Sequence, residues 1–309
     1  MTNLAFLVAP IFLIILLGKI LRNILIKDDE VWHHINSLAY WVLFPCLLFN
    51  KTSVIDFENF AFGSLSITMM TGFLAAVFVS YILGKLWGLS APSLTSVIQG
   101  AGRHNAFIAL AIITQLFGDQ GAMMGAVIIA VLVTFTNIVI NSILSIMLSP
   151  KGSGMMAIIN DLKRNPFIIA ILIGFLFNIL GWGNAPILHV FTLNVGETTL
   201  TIALLCVGAG LQIKGIGDHL MACLIACFGK MIIFPVVVYM LTQYYQLPHM
   251  MTLCAMIFAI SPTGAASYPL AKQMGGDAPL MATLISLETL LSILTIPLVI
   301  ILLNGSGVI

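Results

Sequence analysis

QGAGRHN, residues 99–105, and SPTGAASYP, residues 261–269, interrupt two stretches that are otherwise apolar enough to cross a lipid bilayer. Each interruption is followed by a Gly-Asp pair, at Gly118-Asp119 and Gly276-Asp277, and then by another long apolar stretch. Gly118 and Gly276 are 158 residues apart in a chain of 309, so the offset is close to half the chain. The sequence therefore predicts two copies of one unit. Paired broken membrane segments of this kind point to the binding site of a secondary transporter.

The composition indicates a membrane protein. Hydrophobic residues make up 60% of the chain and charged residues 7%, and the mean hydropathy is +1.12. A soluble domain carries about 25% charged residues. The net charge of +1, with no basic stripe, gives no support to a nucleic-acid partner. The lipid bilayer is the expected surrounding, and the five cysteines, all in apolar stretches, are interpreted as packed side chains.

Ten apolar stretches each come near the ~20 residues that cross a ~30 Å hydrocarbon core. These predicted spans are residues 4–21, 35–54, 62–84, 93–117, 121–148, 166–183, 187–213, 219–244, 250–275 and 279–303. Residues 1–150 form a first five-helix repeat, residues 151–165 a cytoplasmic linker, and residues 166–309 a second repeat. Because each repeat has five spans, the second starts from the opposite face, and the predicted fold is an all-α inverted repeat.

The basic residues predict the orientation. Nine of the twelve lysines and arginines fall in the connections that follow odd-numbered spans. Lys51 alone lies on the other side, and Arg103 and Lys230 lie inside spans. The positive-inside rule then places the nine in the cytoplasm and both termini outside. A multi-pass protein of the cytoplasmic (inner) membrane is expected.

The absence of water from the bilayer core constrains both interruptions. Backbone that leaves helical geometry there must pair with protein or line a polar cavity. Gly100 and Gly102 lower the cost of unwinding in span four, and Pro262 and Pro269 remove N–H donors in span nine. These four residues are predicted to break the two helices.

A new half-helix is predicted after each break, over residues 105–117 and 263–274, with Asn105 and Thr263 as N-caps. The first N–H groups of a helix lack partners within it and carry roughly half a positive charge. In an inverted repeat, the two N-termini approach one central point from opposite faces. This arrangement favours an anion, preferably a carboxylate.

Charged residues inside the spans are functional candidates because burying a charge in a bilayer is costly. Arg103 would hold the anion, or would pack against unwound carbonyls at the break. Lys230, near mid-depth in span eight, would be a second cationic contact, or would line a cavity or pair with an acid. Glu288 in span ten would bind a coupling proton, because burial favours the neutral acid, or would be a structural acid. Glu197 is a further candidate for coupling.

Polar residues at the two breaks complete the predicted site. The predicted substrate-binding residues are Arg103, His104, Asn105, Ser261, Thr263, Gly264, Ser267, Tyr268 and Lys230. Ser267 and Tyr268 would supply hydroxyl contacts. No metal site and no cofactor is predicted, and the candidate coupling ion is a proton or sodium.

At these residues the chain resembles the auxin efflux carrier family of permeases, in particular its bacterial members. The resemblance rests on residues 103–105, on Ser-Pro-Thr at residues 261–263 with Gly-Gly-Asp at 275–277, and on the ETLLSILTIP run from Glu288. It also uses YWVLFPCLLF around Pro45 and LLCVGAGL at residues 204–211.

The resemblance covers the whole chain, in order. It implies ten helices in two inverted repeats, with broken helices four and nine crossing at mid-membrane. It also implies a permease that moves a small organic anion, such as malate or malonate, by alternating access. Asn105 and Pro262 match the family's crossover residues. The short linker favours a bacterial permease, whereas span three lacks the charged residues of the plant branch.

Of the other classes of function, an enzyme is not expected, and two kinds of membrane protein are left as alternatives. The sequence shows no converging nucleophile, acid and base, so an enzyme is not expected. A sodium-coupled symporter of the bile-acid type is the main alternative, because several side chains could supply oxygen ligands. These are Asn36, Asn50, Asn105, Glu197, Gln212 and Glu288. A channel or sensor is a further alternative, and a homodimer is left open.

Overall fold

The computed structural model describes residues 2–55, 62–148, 160, 163–183, 185–212 and 217–305. Most of the predicted linker, residues 151–165, lies outside this part of the chain. Every regular element among the described residues is helical. The α-helices are α1 Thr2–Ile24, α2 Asp29–Leu38, α3 Phe44–Thr52, α4 Phe62–Leu86, α5 Ala91–Gly102, α6 Ala106–Leu148, α7 Pro166–Ile179, α8 Pro186–Glu197, α9 Thr199–Gly210, α10 Leu220–Phe228, α11 Phe234–Tyr244, α12 His249–Ile260, α13 Ser267–Met274 and α14 Ala278–Gly305.

Five helical stretches in the described residues are long and apolar enough to cross a membrane. They are Phe62–Leu86, Ala91–Leu148, Pro186–Gly210, Leu220–Tyr244 and Ala278–Leu303. Two shorter apolar helices are Pro166–Ile179 and His249–Ile260. The prediction of an all-helical membrane protein is confirmed at this level, whereas ten spans in an inverted repeat stay a prediction.

Two helices contain a π-helical segment directly before a Phe-Pro pair. Ala39–Leu43 joins α2 to α3, and Gly229–Ile233 joins α10 to α11. In both, the phenylalanine N–H donates to the carbonyl five residues earlier. Pro45 and Pro235 have no N–H to donate, and a proline ring clashes with the carbonyl four residues before it. The wider π turn accommodates this clash without breaking the helix.

The helices pack as two groups. The first group contains α1, α2, α3, α7, α8 and α9, and the second contains α4, α5 and α10–α14. The main contacts between the groups are made by α6, which packs against helices of both, and by α14 against α1. Each group draws helices from both halves of the sequence, so the chain passes repeatedly between them.

The first predicted break lies between α5 and α6. Gly100 and Gly102 are still helical, in the last turn of α5, so only residues 103–105 leave the helix. The two glycines serve close packing instead, since a Cβ on Gly102 would lie 2.6 Å from Phe73. Gly118 interrupts α6 with φ 58° and ψ −140°, which ends the predicted first half-helix where expected.

The second break is longer, and the prediction for it needs correction. Thr263 is not an N-cap, because the half-helix α13 begins only at Ser267 and its cap residue, Ala266, makes no side-chain hydrogen bond. Pro262 lies in the break as predicted. Pro269 instead lies in the first turn of α13, where a missing N–H is tolerated. Gly275 ends this helix with φ 81°, a left-handed conformation that suits glycine.

Candidate functional site

In the first break, the side chain of Arg103 leaves the axis of α5, and Asn105 caps the helix that follows, α6. The Asn105 side chain accepts hydrogen bonds from the N–H groups of Phe107 and Ile108 at 3.1 and 3.2 Å, so its predicted role as N-cap is confirmed. Arg103, the last residue attached to α5, has extended backbone geometry. Its side chain therefore leaves the α5 helix and points toward α6.

Arg103 lies at a cavity of about 280 Å³, here named the polar pocket. The pocket is lined by Tyr40, Trp41, Arg103, Asn137, Asn141, Arg164, Asn165, Pro166, Ala266, Pro269, Leu270 and Gln273. The lining residues that come from α7 and from the π-helical segment Ala39–Leu43 belong to the first helix group. Those from α13 and the end of α5 belong to the second group. The polar pocket is thus a seam between the two groups.

The polar pocket has the donors that an organic anion needs. The Arg103 guanidinium donates through Nη2 to the Asn137 side chain, while its buried Nε has no hydrogen-bond partner. Oδ1 of Asn141, one helical turn from Asn137, is also buried without a partner, and it can accept a hydrogen bond from a hydroxyl group of the ligand. Arg164 lies exposed among the lining residues. Guanidinium groups bind carboxylates through charge-assisted, often bidentate hydrogen bonds, so this site fits a carboxylate ligand.

In the second break, Thr263 contacts both α5 and α14. The Thr263 hydroxyl lies 2.7 Å from the Gly100 carbonyl oxygen and 2.7 Å from Oε2 of Glu288. The Thr263 N–H also donates to Oε2 of Glu288, at 2.8 Å. The breaks touch directly, since a Cβ on Gly264 would lie 2.7 Å from the His104 carbonyl oxygen. Glycine is therefore required at this contact.

Lys230 and Glu288 form a second polar region behind the breaks, and both side chains are fully buried. Lys230 lies in the π-helical segment with Nζ 4.9 Å from the centre of the Phe234 ring. Nζ has no hydrogen-bond partner, and neither does Oε1 of Glu288. The two side chains do not form an ion pair, but both border Ala101 and Gly100 of α5: a Cβ on Gly229 would lie 2.8 Å from Ala101, and one on Gly100 would lie 3.4 Å from Glu288 Oε1.

The other predicted site residues are more scattered. His104 is buried with its ring edge-on to Phe258, and neither ring nitrogen has a partner. Ser261 donates to the Phe258 carbonyl of its own helix, whereas the buried Ser267 hydroxyl has no partner. Tyr268 is exposed and does not line the polar pocket. Glu197 is exposed at the end of α8.

Sequence reasoning missed several lining residues of the polar pocket. Asn137 and Asn141 are spaced by four residues, which places two amides on one face of an otherwise apolar helix. That spacing was a usable signal. The sequence gave no signal for Tyr40 or Gln273, because only the packing of the two helix groups brings these residues to the pocket that Arg103 lines.

The apolar helices, with a polar seam between two groups, define an integral membrane protein, and the comparison with known families indicates a transporter. The family model that matches is the Sodium Bile acid symporter family, over residues 197–307, about a third of the chain. No curated protein matches the chain.

This match corrects the predicted resemblance to the auxin efflux carrier family, which was wrong. The motifs used for it, broken helices with Gly, Pro and Asn at the breaks, follow from the physics of unwound membrane helices. Such motifs do not separate families that share this device.

Proposed function

We propose that the protein is a secondary transporter that moves a small organic anion, a mono- or dicarboxylate of the size of malate or malonate, by alternating access. It acts as a carrier and not as an enzyme. In this proposal the chain crosses the cytoplasmic membrane ten times, in two inverted repeats that meet at the two breaks. The proposal rests on one observation above all, the Arg103 guanidinium at a polar pocket between two helix groups.

The position and size of the polar pocket support this proposal. A ligand at a seam between two packed groups contacts both, so its binding can favour one arrangement of the groups over another. The cavity of about 280 Å³ falls below the ~300–1,000 Å³ typical of sites for drug-sized ligands. A small carboxylic acid suits this volume better than a steroid.

Binding of candidate acids to purified protein tests the proposal. Malate, malonate and a monocarboxylate of equal chain length should raise the melting temperature, and a neutral diamide analogue should not. Arg103→Gln should weaken carboxylate binding roughly 10- to 100-fold, since hydrogen bonds to charged groups contribute about 1.5–3 kcal/mol. The matched control is Arg22→Gln, which removes an arginine from an exposed ion pair with Asp29.

The opposite result is also informative. Unchanged binding in Arg103→Gln, or equal losses in both arginine variants, would show that Arg103 only supports the break. A loss for dicarboxylates that exceeds the loss for monocarboxylates would place Arg103 against the second carboxylate.

A sodium-coupled symporter of the bile-acid type is the second candidate. It is favoured by the family match, because residues 197–307 include the second break, Lys230 and Glu288. Uptake into proteoliposomes, with sodium replaced by choline and with pH varied independently, separates sodium coupling from proton coupling. Uptake of a bile acid in preference to small acids would overturn the small-anion proposal.

The ten-span topology is tested by single cysteines in a variant without the five native cysteines. Leu86, in the connection after span three, and Tyr244, the last residue of span eight, are both exposed and are predicted to lie on opposite sides. Leu86→Cys should react with an impermeant reagent only in opened cells, and Tyr244→Cys should react in intact cells. Labelling of both from one side would contradict the predicted topology.

A further inference from the structure

In the Glu288 carboxylate, one oxygen has hydrogen-bond partners and the other has none. Oε2 accepts a hydrogen bond from the Thr263 N–H and lies 2.7 Å from the Thr263 hydroxyl, whereas Oε1 has no partner. A Cβ on Gly100 would lie 3.4 Å from Oε1, 3.1 Å from the Ala226 methyl group and 3.0 Å from Leu284, so apolar side chains pack beside this oxygen. The open oxygen is thus enclosed by close packing and is separate from the polar pocket, which Glu288 does not line.

Few charged or titratable groups face this carboxylate. Lys230 approaches from the π-helical segment, where a Cβ on Gly229 would lie 2.8 Å from the Ala101 methyl group, next to Gly100. Cys223 and Cys227 are the titratable side chains of α10, the helix that brings Ala226 beside Gly100. His104, in the first break, is buried against Phe258. Among the described residues, Lys230 is the one cation that is fully buried.

Lys230 supplies the positive charge that the buried Glu288 carboxylate would otherwise need from a bound ion. An isolated buried ammonium is costly, and an isolated buried carboxylate is equally so, but each compensates the other across a low-dielectric interior. Nζ is free of hydrogen bonds, so it is not held as a donor to a backbone carbonyl. Nζ lies over the face of the Phe234 ring, and this cation–π contact holds the ammonium group inside the protein.

We propose that Lys230 is the built-in cation of Glu288, so that the transporter takes up a proton at Glu288 and not a sodium ion. The proposal deepens the proposed function by naming its coupling ion. The ionised pair is neutral overall. When a proton binds Oε1 of Glu288, the pair gains one positive charge, and Arg103 at the polar pocket is three residues along the chain from Gly100, which borders this oxygen. An organic anion in the pocket then balances it, which couples proton uptake to anion uptake.

A double-mutant cycle tests the pairing without any substrate. Melting temperatures of the purified full chain are measured for wild type, Lys230→Met, Glu288→Gln and the double variant, at neutral pH. Each single change leaves one buried charge alone, so we expect a loss of about 10 °C in Lys230→Met and a recovery of most of it in the double variant. The control cycle uses Arg22→Met and Asp29→Asn, whose exposed pair should give little coupling. Additive losses in the Lys230–Glu288 cycle would overturn the pairing.

The sodium arm uses wild type alone and does not depend on any variant folding. Melting in sodium chloride is compared with melting in choline chloride of equal concentration. A sodium ion that binds only the folded state would raise the melting temperature with concentration. We expect no difference between the salts, and a sodium-specific rise would overturn the proposal. Carboxylate binding at Arg103 is a separate measurement, so either result leaves the proposed function to its own test.

Discussion

The two breaks occupy matching positions in the sequence but differ in what they present. The first break takes three residues, caps its half-helix with Asn105 and points Arg103 into the polar pocket. The second takes six residues, caps nothing with a side chain and uses Thr263 to join α5 to Glu288. One break thus lines the polar pocket, and the other contacts the buried carboxylate of Glu288. Matching positions in the sequence need not share a role.

Among the variants that test this difference between the two breaks, a substitution of Glu288 should have the largest effect. Glu288→Gln keeps the shape and the acceptor for Thr263 but cannot bind and release a proton. Accumulation driven by a pH gradient should therefore be abolished, whereas exchange of labelled for unlabelled substrate should continue. Paired proteoliposome assays of both activities check this. Unchanged pH-driven accumulation would remove Glu288 from coupling and separate the second break from it.

A smaller loss is expected from Thr263→Val, which keeps the side-chain volume and removes the hydroxyl. The one hydroxyl proton bonds either the Gly100 carbonyl oxygen or Glu288, so the variant loses one hydrogen bond and the free energy of unfolding should fall by about 1–3 kcal/mol. Ser261→Ala is the matched control, because its hydroxyl bonds only to its own helix, at the Phe258 carbonyl. Chemical or thermal unfolding measures both. Similar losses in the two variants would contradict a linking role for Thr263.

The smallest effect is expected at the first break, from Asn105→Ala. Loss of the cap leaves two N–H groups unsatisfied and should cost about 1–2 kcal/mol, or roughly five- to thirtyfold in ligand binding if the half-helix positions Arg103. Asn105→Asp restores an N-cap acceptor and should recover stability. Full ligand affinity in Asn105→Ala would show that the cap does not position the binding site.

Sequence reasoning located both breaks because glycine, proline and polar residues are conspicuous in apolar spans. It also identified Asn105 as a cap, since the residue type and the following apolar helix suffice for that. It placed the second half-helix four residues early, because Thr263 is equally suited to capping and to bridging. Only the fold shows that Glu288 lies within its reach.

The buried pair was beyond prediction for a different reason. Lys230 and Glu288 were each recognisable as charges within spans, but the sequence left their partners open. Their proximity follows from the packing of α10 and α14 against α5. The family assignment failed because the motifs used reflect helix breaking, which several transporter families require. The match over residues 197–307 draws on the whole C-terminal pattern instead.

The π-helical segment at Gly229–Ile233 has a consequence for the length of its helix. A π turn holds one residue more than an α turn, so the segment is equivalent to a single-residue insertion. Deleting Met231 would remove the extra residue, restore the clash of Pro235 with the carbonyl four residues before it, and rotate Lys230 by about 100° relative to α11. The position of Lys230 is therefore set by the number of residues in the helix. A chain with the same side chains but one residue fewer here would turn Lys230 away from the carboxylate by about a quarter of a turn.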